Sequence, residues 1–315
     1  MTNSTISTAF EVTKRLLSEH QNIMVSISGG SDSDVILDLV MRAQQSTAEH
    51  RNIHFVFFDT GLEFEATLKH IAFLEQRYNI CIEHIYPSKN VPCACDEHGA
   101  PFISKYASEM MMRLQKHDFK WEDKPFEELY TTYPNCKIGL QWWCNLNKSP
   151  SFNIAFNKYL KEFLISHPPT FKISSKCCHY SKVTPSTKYI REHNIDLHIT
   201  GVRKAEGGVR AKQYKDILST NEKTNLTEYR PIWWFTNEDK REYETQYGIV
   251  HSECYTKYKF SRTGCAGCPF GKNAEHEIET ARLNEPSTYD KMLKTFKNSY
   301  DYTMEYRTFR KNKMV

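Results

Sequence analysis

No stretch of this 315-residue chain approaches the length of apolar sequence that a bilayer-spanning helix needs. The N-terminal segment MTNSTISTAFEVTKRL has no long apolar region of the kind a secretory leader carries. Together these absences predict a cytoplasmic protein with no membrane partner. Charge of one sign is scarce too. Lys and Arg number 42 against 38 Asp and Glu, which leaves a formal +4 and a pI near 8.4. That balance permits an anionic substrate without demanding nucleic acid. The length suits one large domain or two smaller ones. Cysteine, by contrast, is plentiful: there are ten, and in a reducing compartment they are a poor disulfide framework, so metal or redox chemistry is expected of some of them.

The stretch VSISGGSDSD, residues 25–34, is what stands out. Before it, Ile23, Val25 and Ile27 alternate with other residues as in a strand. After it, Val35, Ile36, Leu39 and Val40 recur at the spacing of one helix face, with Ser31 to Ser33 offering cap hydroxyls and a carboxylate. A glycine pair between a strand and a helix N-terminus lets backbone N–H groups converge on an anion. The same residues also suit an ordinary polar turn. The loop has no Walker lysine, which disfavours the usual P-loop nucleotidase.

Strand and helix signals then alternate. Ile53 to Phe58 is an apolar run ending in Asp59-Thr60-Gly61, Glu63 to Tyr78 is periodic as a helix, and Ile80 to Tyr86 reads as a strand closed by Pro87. A parallel sheet covered on both faces follows, with ligands at the carboxyl ends of its strands. From Ser88 to Ser175 the periodicity lapses among several prolines. That segment reads as an insertion, helical over Ile103 to Lys116 and Asn153 to Ile165. Alternation returns with a helix over Pro185 to His193 and a strand over Leu197 to Thr200, leading into GVRKAEGGVR. The Arg203, Lys204 and Arg210 of that stretch suit either a solvated basic loop or an anion clamp.

Four ordered blocks carry a family resemblance. They are Ser28-Gly29-Gly30-Ser31-Asp32-Ser33; Asp59-Thr60-Gly61; KCCHYSKVTP (176–185) with ITGVRKAEGGVRA; and YRPIWWFT (229–236) with the helix ending at Gly248. The first resembles the SGGxDS loop of the PP-loop adenine nucleotide alpha hydrolase superfamily, and the set resembles its phosphoadenosine phosphosulfate (PAPS) reductase branch, CysH-like. The resemblance implies an α/β fold, a Rossmann-like parallel sheet of the PP-loop/HUP type with a largely helical insertion and a C-terminal Fe–S and helical segment. The segments are 1–87 and 176–228 for the α/β domain, 88–175 for the insertion and 229–315 for the C-terminal part. It also implies ATP or another adenine nucleotide, bound by Ser28, Gly29, Gly30, Ser31, Asp32, Ser33, Asp59, Thr60 and Gly61 with Arg203, Lys204 and Arg210, of which Asp32, Arg203 and Arg210 are the catalytic candidates and Asp32 works through Mg²⁺ or loop geometry.

Cys177-Cys178 and Cys265-Ala266-Gly267-Cys268 supply two pairs of soft ligands, suited to iron–sulfur or zinc. The vicinal pair with a distant C-x-x-C is similar to the four-iron site of assimilatory adenosine phosphosulfate (APS) reductases. It implies a [4Fe–4S] cluster, with zinc as the alternative and inert buried thiols as the plain one. Cys81, inside the third strand, is expected in the core. Cys93, Cys95 and Cys144 are either a second ligand set or reactive thiols.

The reductases place a nucleophilic cysteine in a C-terminal motif, and here no cysteine follows Cys268. The expectation is therefore an enzyme that cleaves ATP to AMP and pyrophosphate in sulfur transfer or nucleic-acid modification, with a nucleic acid or a sulfur-donor protein as partner. A PAPS or APS reductase using Cys144 or Cys254, and a nucleotide-binding accessory protein without turnover, are the alternatives. The basic, aromatic stretch Lys291 to Lys313 suits a polymer substrate, or more plainly an amphipathic helix packed on its domain.

Overall fold

The computed structural model describes residues 3–46, 52–207, 213–271 and 273–314. The chain forms two compact units, Met1–Pro87 with Lys182–Gly264, and Ser88–Ser181 with Cys265–Val315.

The first unit is built on a six-stranded sheet of order β3-β2-β1-β4-β6-β5. Its strands are β1 (Asn22–Ile27), β2 (Asn52–Phe58), β3 (Ile82–Ile85), β4 (Leu197–Ile199), β5 (Leu218–Asn221) and β6 (Leu226–Tyr229). All neighbours run parallel except β5, which pairs antiparallel with β6 at the edge. β1 lies at the centre because it is apolar on both faces. Ile23, Val25 and Ile27 enter one core with Val35, Ile36 and Val40, while Met24 joins Val56, Tyr189 and Ile195 in a separate cluster. Burial on both faces is what parallel strands require. Helices α1 (Ser4–Glu19), α2 (Ser31–Gln45) and α3 (Glu65–Tyr78) supply Leu16, Leu39 and Ile71 to the first core.

The hairpin β5–β6 has no counterpart in the sequence reading, because both strands are short and polar and β5 is mostly exposed. Cys81 is corrected as well. It precedes β3 and is exposed, so it belongs to no core.

The second unit is helical. It comprises α4 (Val91–His98), α5 (Lys105–Gln115), α6 (Phe126–Thr132), α7 (Lys137–Trp143), α8 (Leu160–Ser166) and the one-turn α9 (Lys176–Cys178). A π-turn, His179–Val183, then leads into α10 (Thr184–Glu192) of the first unit. The helical stretch expected over Asn153 to Ile165 is shorter and preceded by 3₁₀ turns, since the left-handed Tyr159 interrupts it. Two helices of the C-terminal region follow α11 (Asn237–Tyr247) and α12 (Glu253–Thr256) of the first unit, namely α13 (Ala274–Asn284) and the 28-residue α14 (Pro286–Lys313). Met292, Phe296, Ser299, Tyr302 and Tyr306 recur at three- and four-residue spacing along α14 and are buried. Tyr302 and Tyr306 pack with Phe102, Trp142, Trp143 and Phe163. The basic tail is thus an amphipathic helix whose aromatic stripe is core. Among the described residues no helix is long and apolar enough to cross a membrane.

Candidate functional site

The strand order places β1 between β2 and β4, where connections leave in opposite directions, and such a point opens a crevice at the carboxyl ends. The loop Ser28–Gly30 emerges there. Gly29 has φ +66°, and a Cβ built on it would stand 2.8 Å from Thr67 Cγ2, so only glycine fits without strain. Gly30 has ordinary backbone geometry, but a Cβ there would sit 3.2 Å from Ser28 Oγ, 3.2 Å from Thr263 Oγ1 and 3.4 Å from the Tyr255 hydroxyl. It leaves a small cradle rimmed by hydroxyls.

The expected side-chain cap of α2 is absent. Gly30 is the N-cap and no side chain caps the helix. Ser33 instead ties the loop to itself, donating to Gly30 O at 2.7 Å and accepting from Ser28 N at 3.3 Å. The Ser31 N–H donates to the Tyr255 hydroxyl at 3.1 Å.

Charge gathers around Asp32. Its Oδ1 accepts from Arg203 Nε and from Lys240 Nζ, each at 2.8 Å, and Lys240 also donates to Ser31 Oγ at 2.6 Å. Arg203 is buried and donates a second bond to Asn237 Oδ1. Lys204 is exposed and lies over the Trp234 ring, 4.5 Å from its centre. Arg210 lies outside the described residues. At the end of β2, Asp59 accepts from Gly61 N while Thr60 donates through both N–H and hydroxyl to Glu63. These bonds hold DTG as a self-contained turn.

Two residues further along α2, Asp34 is buried and held between two imidazoles, His70 Nε2 at 2.9 Å and His251 Nδ1 at 2.7 Å. The other nitrogen of His251 meets Glu244 Oε1 at 2.9 Å. Burial alone would discharge His251, yet the hydrogen bonds and charges of Asp34 and Glu244 outweigh it and lift its pKa to about 9. The helix carrying the loop is therefore anchored by an imidazolium at neutral pH. Lys240, Tyr255, Thr263 and this histidine pair escaped the sequence reading. Lys240 lies in the helix that closes the fourth block, but nothing in that polar helix marks it out; His70 lies within α3, and the stretch holding His251, Tyr255 and Thr263 shows no periodicity pointing to the loop.

The second unit brings the remaining candidates together. Cys177 is buried on α9 and hydrogen-bonds with Cys178 and with Cys95 of α4. The bond with Cys178 favours its thiolate, but the bond with Cys95, burial and the nearby Cys268 outweigh that and push its pKa well above the ordinary thiol range. Cys268 is pushed up to about 12 by burial and by Cys265 and Cys178. Cys265 and Cys268 are joined by a turn in which Gly267 has φ +61° and packs so closely on Met292 and Tyr300 that no side chain fits. Cys177 thus interacts with Cys95, Cys178 and Cys268, and Cys268 in turn with Cys265 and Cys178. Among the described residues no three Cys, His, Asp or Glu side chains stand in ready metal-ligand geometry. Cys254 is buried in the first unit with its sulfur 3.6 Å from Thr67 Oγ1, and burial raises the pKa of the half-buried Cys144.

An α/β protein with a glycine loop at the carboxyl end of its central strand is what this sheet and loop define. The family model for the phosphoadenosine phosphosulfate reductase domain matches residues 22–166 and 147–270. The chain belongs to that family, within the PP-loop superfamily. An uncharacterized protein of Methanocaldococcus jannaschii is 32% identical over 154 residues, covering 49% of this chain but only 29% of that relative. Among solved structures, a PAPS reductase from Candida auris in a phosphate complex has a TM-score of 0.43 at 16% identity, covering 79% of this chain and 83% of that one. The U34-tRNA thiolase NcsA of Methanococcus maripaludis, solved with its [4Fe-4S] cluster, has a TM-score of 0.39 at 11% identity, covering 94% and 79%. At these scores neither structural likeness carries functional weight.

Proposed function

We propose that the chain binds ATP at the loop between β1 and α2 and cleaves it to AMP and pyrophosphate, in the service of sulfur transfer or nucleic-acid modification. The observation that carries this reading is the pair of cations on Asp32. Lys240 and Arg203 bring two positive charges to one carboxylate at the carboxyl end of the central strand, with the Gly30 cradle beside them. Lys240 Nζ also lies 3.5 Å from Glu244 Oε1, so the two cations are balanced by two carboxylates and can turn to phosphoryl oxygens when a nucleotide arrives. α–β cleavage asks for positioning and for neutralisation of the charge that develops on departing pyrophosphate, which fixed cations supply. Lys240 Nζ can exchange its bond with Ser31 Oγ for one to a phosphoryl oxygen. Ser31 N–H, now donating to a tyrosine hydroxyl, can do likewise. Asp32 is assigned to the Mg²⁺ that accompanies the nucleotide. Because its Oδ1 already accepts two bonds, the ion would use Oδ2 or displace a cation.

The thiols of Cys177, Cys178, Cys265 and Cys268 have the donor chemistry of a [4Fe–4S] cluster, whose iron would hold them as thiolates. Bound there, a cluster would supply soft iron for handling sulfur; zinc is the alternative occupant. The family match itself favours a second reading, reduction of PAPS or APS to sulfite.

Incubating anaerobically prepared protein separately with ATP, APS and PAPS, and identifying every nucleotide product, tests the choice. AMP with pyrophosphate from ATP is expected, with Lys240→Met slowing it. Thiol-dependent sulfite from APS or PAPS, abolished by changing Cys144 or Cys254, would overturn the ATP reading.

A further inference from the structure

The second unit holds a cavity of about 550 Å³ between α5, α7 and the start of α9. Arg113, Lys116, His117, Asn135, Lys137 and Lys176 line it. Glu109 is the one acidic residue in the lining, and it is engaged, accepting from Arg113 Nε at 3.0 Å and lying 2.9 Å from Nη2. Among the described residues Lys116, Lys137 and Lys176 make no ion pair, so three uncompensated ammonium groups face one concavity. Like charges so gathered repel unless an anion enters. The volume is that of a small-ligand site.

We propose that this cleft binds the phosphate groups of a polynucleotide strand. Lysine, arginine and an asparagine amide are the side chains that contact phosphate and sugar oxygens. An acidic protein is the less suitable occupant. Its carboxylates sit on separate flexible side chains, whereas a polynucleotide strand carries its phosphate charges in regular close succession, which matches neighbouring lysines in one concavity. The cleft also replaces the C-terminal helix as the site for a polymer. The Tyr302 and Tyr306 rings of α14 are core, so they are not free to stack on bases. Lys176 immediately precedes Cys177, so a strand held here would lie at the segment carrying the paired thiols. The inference rests on the nucleic-acid arm of the function proposed above and names where that acceptor would be gripped.

Fluorescence anisotropy of the full chain with a labelled single-stranded oligonucleotide, titrated from 50 to 200 mM salt, tests it. Each lysine–phosphate contact on a single strand contributes about 0.7 to the slope of log affinity on log salt. Lys116→Gln with Lys137→Gln should therefore flatten that slope by about 1.4 and weaken binding roughly 10- to 50-fold at the lowest salt. Both side chains are exposed, so the fold should hold, and ATP binding and iron content should match the parent. Lys188→Gln with Lys294→Gln removes the same charge elsewhere and should change little. Three results would overturn the proposal: no oligonucleotide binding at 50 mM salt, binding that the lysine pair leaves unchanged, or equal binding of a poly-glutamate of matched charge with the same sensitivity. Loss of ATP cleavage or iron in the parent protein would instead count against the function reading, and leaves this measurement intact.

Discussion

Changing His251 to Gln removes a charge whose effect on stability can be worked from its surroundings. Its pKa stands near 9 against an ordinary 6.5. A group whose pKa is raised on folding stabilises the folded state below its unfolded pKa and loses that contribution as pH climbs through the folded value. At 1.36 kcal/mol per unit, the contribution is roughly 3 kcal/mol at pH 6.5, about 2 kcal/mol at pH 7.5 and near zero at pH 9.5. His251→Gln should therefore be less stable than the parent by about 3 kcal/mol at pH 6.5, with the gap closing by pH 9.5. At roughly 3 °C per kcal/mol for a unit of this size, the melting temperature should fall by about 9 °C at pH 6.5. Denaturant unfolding followed by circular dichroism across that pH range reads it directly. A deficit that does not vary with pH would refute the reasoning, since it would mean that His251 contributes packing and one hydrogen bond but no charge. His70 remains on Asp34 in the variant, so the buried carboxylate keeps a partner and unfolding outright is not expected.

Gly29→Ala should destabilise the first unit by about 1–2 kcal/mol, because it combines a left-handed backbone with a close approach to Thr67; a melt equal to the parent's would show that the loop relaxes. Gly30→Val should leave the melting curve close to the parent's but abolish ATP binding by calorimetry, and retained affinity would mean that the cradle is no phosphate site. Lys240→Met should weaken ATP binding about tenfold, as expected for one hydrogen bond to a charged group, while an unchanged affinity would assign Lys240 to the Asp32 pair alone. Cys265→Ser or Cys268→Ser should bleach brown, anaerobically purified protein and lower its iron and acid-labile sulfide; stoichiometric zinc without sulfide in the parent would overturn the cluster.

The alternation of β1, α2, β2 and α3 was legible in the chain because β1 must be apolar on both faces and α2 on one, and such periods survive in the letters themselves. Pairing of Ser28–Ser33 with the later KCC, GVRK and YRPIWW blocks made the family readable for the same reason: each block is local. What the sequence could not reveal is who meets whom. Lys240 and Arg203 lie far from Asp32 along the chain and reach it because β4 runs beside β1 and α11 packs on α2. His251 gains its raised pKa only where folding buries it between two carboxylates. Cys95, one of several unassigned thiols in the sequence, acquires a partner in Cys177 through the packing of α4 on α9. The short polar hairpin β5–β6 has strand geometry because β4 offers its edge to β6, which no propensity of LSTN or LTEY announces. Periodicity and loop chemistry are properties of neighbours in sequence, and so the sequence by itself determined the sheet's centre and its glycine loop. Charge pairing, burial and the convergence of thiols depend on distances between remote residues, and these the tertiary structure alone decided.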